Sequence, residues 1–251
     1  MEYPFIFISS LTRSGSTLVQ EILTQLPYSY IFHEPSLYMN KFNTKDKNLK
    51  DILHYGIDIN RILKPPILEN FVTIIMPLLK KHIMQIGVKE VGNRGWKNYL
   101  KHFSNIKIII TGRDPRDLYI SVYYWENKGR PKPKPLSTRR LAFLRNNIER
   151  QADIFKTGQA IKVKYEDLCC NPEETIYEMK KFINSPIPDI GEIGQFMGRA
   201  PKRKREYGLH GNSITTKHVN RWQEEPNKSL VKLANDFFDS VPDYCEFWGY
   251  K

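Results

Sequence analysis

The sequence predicts an α/β fold of three layers, a central parallel sheet of about five strands flanked by helices. Three observations carry the prediction. Short apolar runs of strand length alternate along the chain with stretches of helical periodicity. The runs are continuously apolar, as strands buried on both faces are. The composition, 40% hydrophobic and 26% charged over 251 residues, is that of a globular chain able to bury a sizeable core. No internal repeat and no linker divides the sequence, so residues 1–251 are expected to form a single domain.

Phe5-Ile6-Phe7-Ile8, bounded by Ser9 and Ser10, reads as the first buried strand. From Ser16 onward Leu18, Val19, Ile22, Leu23 and Leu26 recur at helical spacing, and this helix is expected to end at Pro27. Tyr30-Ile31-Phe32 is the second strand. Residues 41–85 are mostly helical in pattern, with breaks expected at Pro65-Pro66 and at Pro77, because proline lacks the amide donor and crowds the preceding turn. Ile86-Gly87-Val88 is the third strand, and Ile106 to Thr111 is the fourth and strongest. A helix follows from Pro115 to about Glu126, and Gly129 to Pro135 must be an extended loop. Leu141 to Phe155 is helical, and Ala160 to Tyr165 is the fifth strand.

Lys and Arg number 39 against 27 Asp and Glu, a formal charge of +12. Such an excess fits a nucleic acid, an anionic membrane surface or a polyanionic small molecule, or else the background of a chain rich in Lys, Ile and Asn. No signature of a nucleic-acid-binding motif accompanies it. Cys169, Cys170 and Cys245 form neither a disulfide framework nor a metal-ligand spacing, and no carboxylate cluster is built to hold Mg²⁺. The apolar runs fall far short of the roughly 18 to 20 residues that span a bilayer, and Glu2 with the short run from Phe5 does not make a signal peptide. The expectation is a reduced, cytoplasmic protein with no metal and no membrane span.

The loop Leu11-Thr12-Arg13-Ser14-Gly15 between the first strand and the first helix has the makings of an anion site. The first amides of a helix have no internal partners, and the helix dipole adds positive charge there. Gly15 lets the backbone approach an anion, Ser14, Ser16 and Thr17 add hydroxyls, and Arg13 adds a permanently charged fork. The plain alternative is an ordinary strand-to-helix turn with a Ser cap. Against the P-loop pattern G-x-x-x-x-G-K-S/T, Gly15 and Thr17 fit, while Ser10 replaces the first Gly and Ser16 the Lys. That Lys reaches the outer phosphates of a nucleoside triphosphate, so its absence weighs against an ATPase, a GTPase or a nucleotide kinase of related fold.

The segment from Phe7 to Leu18 resembles the 5′-phosphosulfate loop of the sulfotransferases that use 3′-phosphoadenosine 5′-phosphosulfate (PAPS). The segment from Ile108 to Tyr123 resembles the same family's 3′-phosphate motif, a buried strand, then Arg-Asp-Pro, then a Ser eight residues after the Arg; Arg113 and Ser121 stand at that spacing. A salt bridge of Arg113 with Asp114 at the helix start is the plain alternative. Val163 to Leu168 is similar to the family's Tyr-Glu-Asp-Leu strand end, which implies that Tyr165 borders the nucleotide, with a packing role as the alternative. Ser213, Lys217 and Arg221, followed by Trp222, resemble the late loop that donates to the 3′-phosphate, and Phe247 to Tyr250 resembles the common closing Leu-Gly-Tyr. The resemblance covers most of the chain and is weakest over 36–85 and 127–158. It implies a P-loop NTPase-like fold, PAPS as donor and adenosine 3′,5′-bisphosphate (PAP) as product, without a metal.

Sulfuryl transfer needs in-line positioning, a base for the acceptor's proton and cations for charge on the bridging oxygen. Glu34 and His33 follow the second strand, whose end opens into the same crevice as the loop. Tyrosylprotein and several carbohydrate sulfotransferases place a catalytic or acceptor-contacting Glu in a comparable stretch, which favours Glu34 over His33. Partial desolvation is expected to raise its pKa toward useful values; pairing with a nearby Lys is the alternative. Lys89, 24 residues before Arg113, resembles the Lys of a Lys-Asp-Pro strand end in the tyrosylprotein enzymes, here with Glu90 and Val91 in place of Asp and Pro. Arg13 would share the charge-stabilising role. The basic stretch Arg199 to Arg205 reads either as a solvated loop or as a lid over an anion. The acceptor, a small molecule or carbohydrate offering a hydroxyl or an amine, is not readable, nor is the oligomeric state.

Overall fold

In a computed structural model, residues 3–42, 52–92, 94–188 and 214–251 are described. Five strands, β1 (Phe5–Ser10), β2 (Ser29–His33), β3 (Gln85–Val91), β4 (Ile106–Gly112) and β5 (Ala160–Lys164), form one sheet. Their order is β2-β3-β1-β4-β5 and every pairing is parallel. β1 lies at the centre, in register with β3 at Phe7 against Val88 and with β4 at Phe7 against Ile108.

The alternation of side chains along each strand divides the core into two layers. Phe5 and Phe7 face one side, with Phe32, Val88, Ile108 and Ile110. The helices there are α2 (Trp96–His102), α3 (Pro115–Glu126), α4 (Thr138–Phe155), α7 (Lys228–Asp239) and α8 (Pro242–Trp248). Ile6 and Ile8 face the other side, with Ile31, Ile109 and Val163, under α1 (Ser16–Leu23) and α6 (Pro172–Phe182); the short α5 (Tyr165–Cys170) follows β5 directly.

Two expectations are corrected. The first helix stops at Leu23 rather than running to Pro27. There the Thr24 hydroxyl turns back to donate to the Gln20 carbonyl at 2.8 Å and accepts the Ile31 amide at 3.4 Å, which closes the outer edge of β2. Pro77 does not break its helix: Leu68–Asn70, a wide π-type turn at Phe71–Ile75 and Met76–Leu79 follow without interruption. The wider turn just before the proline absorbs its missing amide and the crowding of its ring. Between Ile62 and Leu68, at Pro65-Pro66, the expected break is present.

Candidate functional site

The carboxyl ends of β1, β2, β3 and β4 open on one crevice, where a parallel sheet of this kind presents its ligand-facing loops. The β1–α1 loop enters it with two left-handed residues, Arg13 at φ 70° and Gly15 at φ 85°. Gly15 is required twice over. A side chain is strained at that φ, and a Cβ there would lie 2.6 Å from Cδ2 of Tyr165. Gly15 caps α1 without a side chain of its own, so the first amides of the helix, at Ser16 and Thr17, are left to a ligand or to solvent. The Ser14 hydroxyl, by contrast, points into the fold. It is bound at 2.8 Å to the Leu11 carbonyl and at 2.6 Å to the Thr111 hydroxyl, and so it braces the loop against β4.

The end of β4 supplies the second wall. Arg113 is buried, and its guanidinium lies 4.3 Å over the Tyr165 ring. One terminal nitrogen donates to the Arg13 carbonyl at 3.3 Å and the other to the His218 carbonyl at 2.6 Å. Its main chain is clamped by the buried Tyr244, whose hydroxyl accepts from the Arg113 amide and donates to the Arg113 carbonyl, both at 3.0 Å. The alternative pairing of Arg113 with Asp114 does not form. Asp114 caps α3 through the Arg116 amide at 2.8 Å and pairs with the Arg116 guanidinium at 2.6 Å, while Arg113 faces Asp117 at 3.8 Å, one turn along. Asp117 is raised by burial, which Arg113 opposes. Ser121 lies a further turn along α3, and its hydroxyl accepts from Arg13 Nε at 3.2 Å. That bond joins the two walls. Tyr165 is buried between Gly15 and Arg113; burial lifts its phenol, against the pull of Arg113.

The third cluster lies at the ends of β2 and β3. Lys89, fully buried, donates to Glu34 Oε1 at 2.8 Å and reaches Thr17 Oγ1 at 3.5 Å. An ammonium from β3 thus approaches the helix start from the side, where the sequence has Ser16 in place of a P-loop lysine. Glu34 sits at φ 50° with its amide bound to the Lys89 carbonyl at 2.8 Å. Its expected upward shift is corrected. Desolvation does raise it, but the charge and hydrogen bond of Lys89, helped by His33, outweigh that and hold the carboxyl below its ordinary value. Glu90, also buried, accepts the Ser36 amide at 2.9 Å and the Tyr99 hydroxyl at 3.1 Å, and burial pushes it up to about 8. It anchors the Glu34-Pro35-Ser36 turn from below.

The structure therefore gathers Arg13, Gly15, Ser16, Thr17, His33, Glu34, Lys89, Arg113, Ser121 and Tyr165 around one crevice. Lys217 and Arg221 sit on the following segment, Lys217 exposed and Arg221 stacked 4.6 Å over Tyr124. Trp222 donates its amide to Asp117 at 2.9 Å, which ties this segment to α3. Ser213 and the basic run from Arg199 to Arg205 lie outside the described residues. Tyr244, Asp117, Gln20 and the His218 carbonyl were not singled out from the sequence; only a buried polar residue inside an apolar pattern signals such roles. Among the described residues no group of three or more His, Cys, Asp or Glu side chains is placed to hold a metal, and no helix is long and apolar enough to cross a membrane.

A parallel five-stranded sheet with a left-handed loop leading from its central strand into a helix N-terminus, and a buried arginine at the neighbouring strand end, is an arrangement suited to receive an anion. The profile of the sulfotransferase domain matches residues 4–200, and the chain belongs to that family. Among solved structures it is similar to the sulfotransferase domain of the Synechococcus PCC 7002 olefin synthase, with a TM-score of 0.68 and 17% identity over 100% of this chain and 97% of that one. The sulfotransferase domain from the curacin biosynthetic pathway is similar at TM-score 0.56 and 15% identity, over 100% and 99%. The mouse sulfotransferase SULT7A1, solved with PAP, is similar at TM-score 0.55 and 13% identity, over 95% and 84%. Among curated proteins, sequence comparison finds no match.

Proposed function

We propose that residues 1–251 act as one cytoplasmic, PAPS-dependent sulfotransferase domain, transferring the sulfuryl group to a hydroxyl or amine of a small-molecule or carbohydrate acceptor. One observation carries the reading: Arg13 Nε on Ser121 Oγ at 3.2 Å joins a 5′-type anion loop to the Arg113 wall within a single crevice. The residues fit the donor in two further respects. Arg113 Nε is buried with no hydrogen-bond partner among the described residues, as a phosphate-binding guanidinium is before its anion arrives. Gly15, whose Cβ position the Tyr165 ring takes up, leaves the first amides of α1 without a side-chain cap.

In this reading the Gly15, Ser16 and Thr17 end of α1, with Arg13, holds the 5′-phosphosulfate. Arg113 and Ser121 hold the 3′-phosphate, with Lys217, Arg221 and Ser213 completing that side and Tyr165 bordering it; Ser14 acts by bracing the loop. Sulfuryl transfer exchanges the sulfur–oxygen bond to the donor phosphate for one to the acceptor, releasing PAP. Glu34 takes the proton that the acceptor loses, and Lys89 and Arg13 stabilise charge on the leaving oxygen. A Lys89 drawn toward that oxygen releases Glu34 from the partner that holds its carboxyl low, so the base strengthens when the donor is in place.

The test is calorimetry with PAP and with ATP. PAP should bind and raise the melting temperature, and ATP should do so much less; equal binding of the two would remove the 3′-phosphate assignment. Glu34→Gln should leave PAP affinity nearly unchanged while turnover falls by about 10² to 10⁴, the usual worth of a general base. Near-normal turnover in Glu34→Gln would assign the base elsewhere.

A further inference from the structure

Gln20 stands in the apolar stripe of α1 and is 2% exposed, an unusual place for an amide. Its orientation is fixed by what it touches. The Ile31 carbonyl can only accept, so the group 2.9 Å from it is the Gln20 Nε2 donor. The other end, Oε1, can only accept, and it lies 2.6 Å from His33 Nδ1. The Nδ1 nitrogen must therefore carry a proton, and in the neutral ring Nε2 is left as the acceptor. Nε2 lies 3.6 Å from Glu34 Oε1, which Lys89 also engages, at 2.8 Å. Of these neighbours Lys89 is 1% exposed in its side chain and His33 25%. Glu34 is itself 37% exposed, so the imidazole beside it adds a second route for its proton to the direct one into water.

We propose that Gln20 is a positioning residue that fixes His33 as its Nδ1–H tautomer, so that Nε2 receives from Glu34 the proton taken from the acceptor; this role rests on the sulfuryl-transfer reading above. The proton balance is complete. The acceptor's O–H or N–H bond breaks as the proton joins a Glu34 oxygen. The Glu34 O–H bond then breaks as the proton joins His33 Nε2, giving the imidazolium, and Nε2 passes it to water. The other ring proton stays on Nδ1, hydrogen-bonded to Gln20 Oε1, throughout. A neutral amide suits this task, because it orients the ring without the extra basicity that a carboxylate partner would confer and so leaves the imidazolium free to discharge.

The experiment is long-range ¹H–¹⁵N correlation NMR of the full chain with labelled histidines, at a pH where His33 is neutral. Wild type should show a protonated Nδ1 and an unprotonated Nε2. Gln20→Leu should lose that tautomer or mix it, while Gln20→Glu, which can still accept from Nδ1, should keep it. Glu34→Gln should lower the titration midpoint of His33, because the imidazolium loses an anion beside Nε2. A wild-type proton on Nε2, an unchanged spectrum in Gln20→Leu, or an unmoved midpoint in Glu34→Gln would each overturn the proposal. Should Gln20→Leu fail to fold, the wild-type tautomer and the other two variants still decide it. Calorimetry with PAP on the same samples is read separately. A wild type that binds no PAP removes the reaction the relay serves, even with the tautomer as expected.

Discussion

Replacing Lys89 by Met keeps the stem and removes the charge, and its consequences can be worked from the geometry. At 2.8 Å the attraction between Lys89 and Glu34 is about 6 kcal/mol at an effective dielectric of about 20. Most of that offsets the cost of taking the ammonium out of water. Removing one partner of a fully buried pair costs about 3 to 5 kcal/mol. Glu34 is 37% exposed in its side chain, so water resolvates it in part, and the expected loss is about 1 to 3 kcal/mol. The loss depends on pH. The folded carboxyl lies below its ordinary value, so the stabilisation is fully present above the unfolded value of about 4.5 and is lost as pH falls through the folded one. Wild type and Lys89→Met should therefore differ most near neutrality and converge on acidification. Without Lys89, desolvation dominates and the Glu34 titration, followed by carboxyl ¹³C NMR, should move upward. The assay is urea unfolding of wild type, Lys89→Met, Glu34→Gln and the double variant. Near pH 7 the cycle should give a coupling of at least about 1 kcal/mol. Strict additivity, within about 0.5 kcal/mol, would refute the pairing as the cause.

Gly15→Ala should lower stability by about 1 to 2 kcal/mol for the left-handed backbone alone, and more because its Cβ meets Tyr165 at 2.6 Å; PAP affinity measured by calorimetry should fall with it. Glu90, raised to about 8 by burial, keeps its proton in the folded chain over a range where the unfolded chain has lost it. Wild-type stability should consequently fall between about pH 5 and 8, while Glu90→Gln stays flat there, as urea midpoints across that range will show.

The strands were legible because parallel strands buried on both faces leave continuous apolar runs, and Phe5 to Ile8 and Ile106 to Thr111 are such runs. The helix from Pro115 to about Glu126 was legible, its start above all, since Asp114 and Pro115 supply a cap and a first-turn proline, both acting locally. What stayed hidden depends on distance in sequence or on the tip of a long side chain. Tyr244 clamps Arg113 from 131 residues away. The direction of the Glu34 shift turns on where the Lys89 ammonium ends, which a strand assignment does not specify. Gln20 carries no signal of its own in the sequence, and only the edge of β2 shows why an amide belongs there. Ser14 was placed with the ligand because its loop is, yet a hydroxyl turned toward Thr111 serves the loop instead.

In the proposed reading the two walls that hold the phosphates are not independent. Arg113 donates to the carbonyl of Arg13, a residue held at φ 70°, while Arg13 reaches across to Ser121 on the helix that follows Arg113. Tyr165 fills the space between Gly15 and the Arg113 guanidinium. Removing Arg113 therefore takes a donor from the 3′ side and also one of the bonds that keeps the 5′ loop in its left-handed shape. Arg113→Ala should abolish most of the discrimination between PAP and adenosine 5′-phosphate, and Arg13→Ala should weaken both ligands to a similar degree. Each loss is worth about 1.5 to 3 kcal/mol, the usual value of a charge-assisted bond to phosphate. Once Arg113 is gone the loop is already loosened, so the double variant should lose less than the sum of the two singles. Calorimetry with both ligands on the four proteins measures this directly. Additive losses would mean that Arg113 binds its anion without organising the loop, and the 3.3 Å bond to the Arg13 carbonyl would then be incidental to binding.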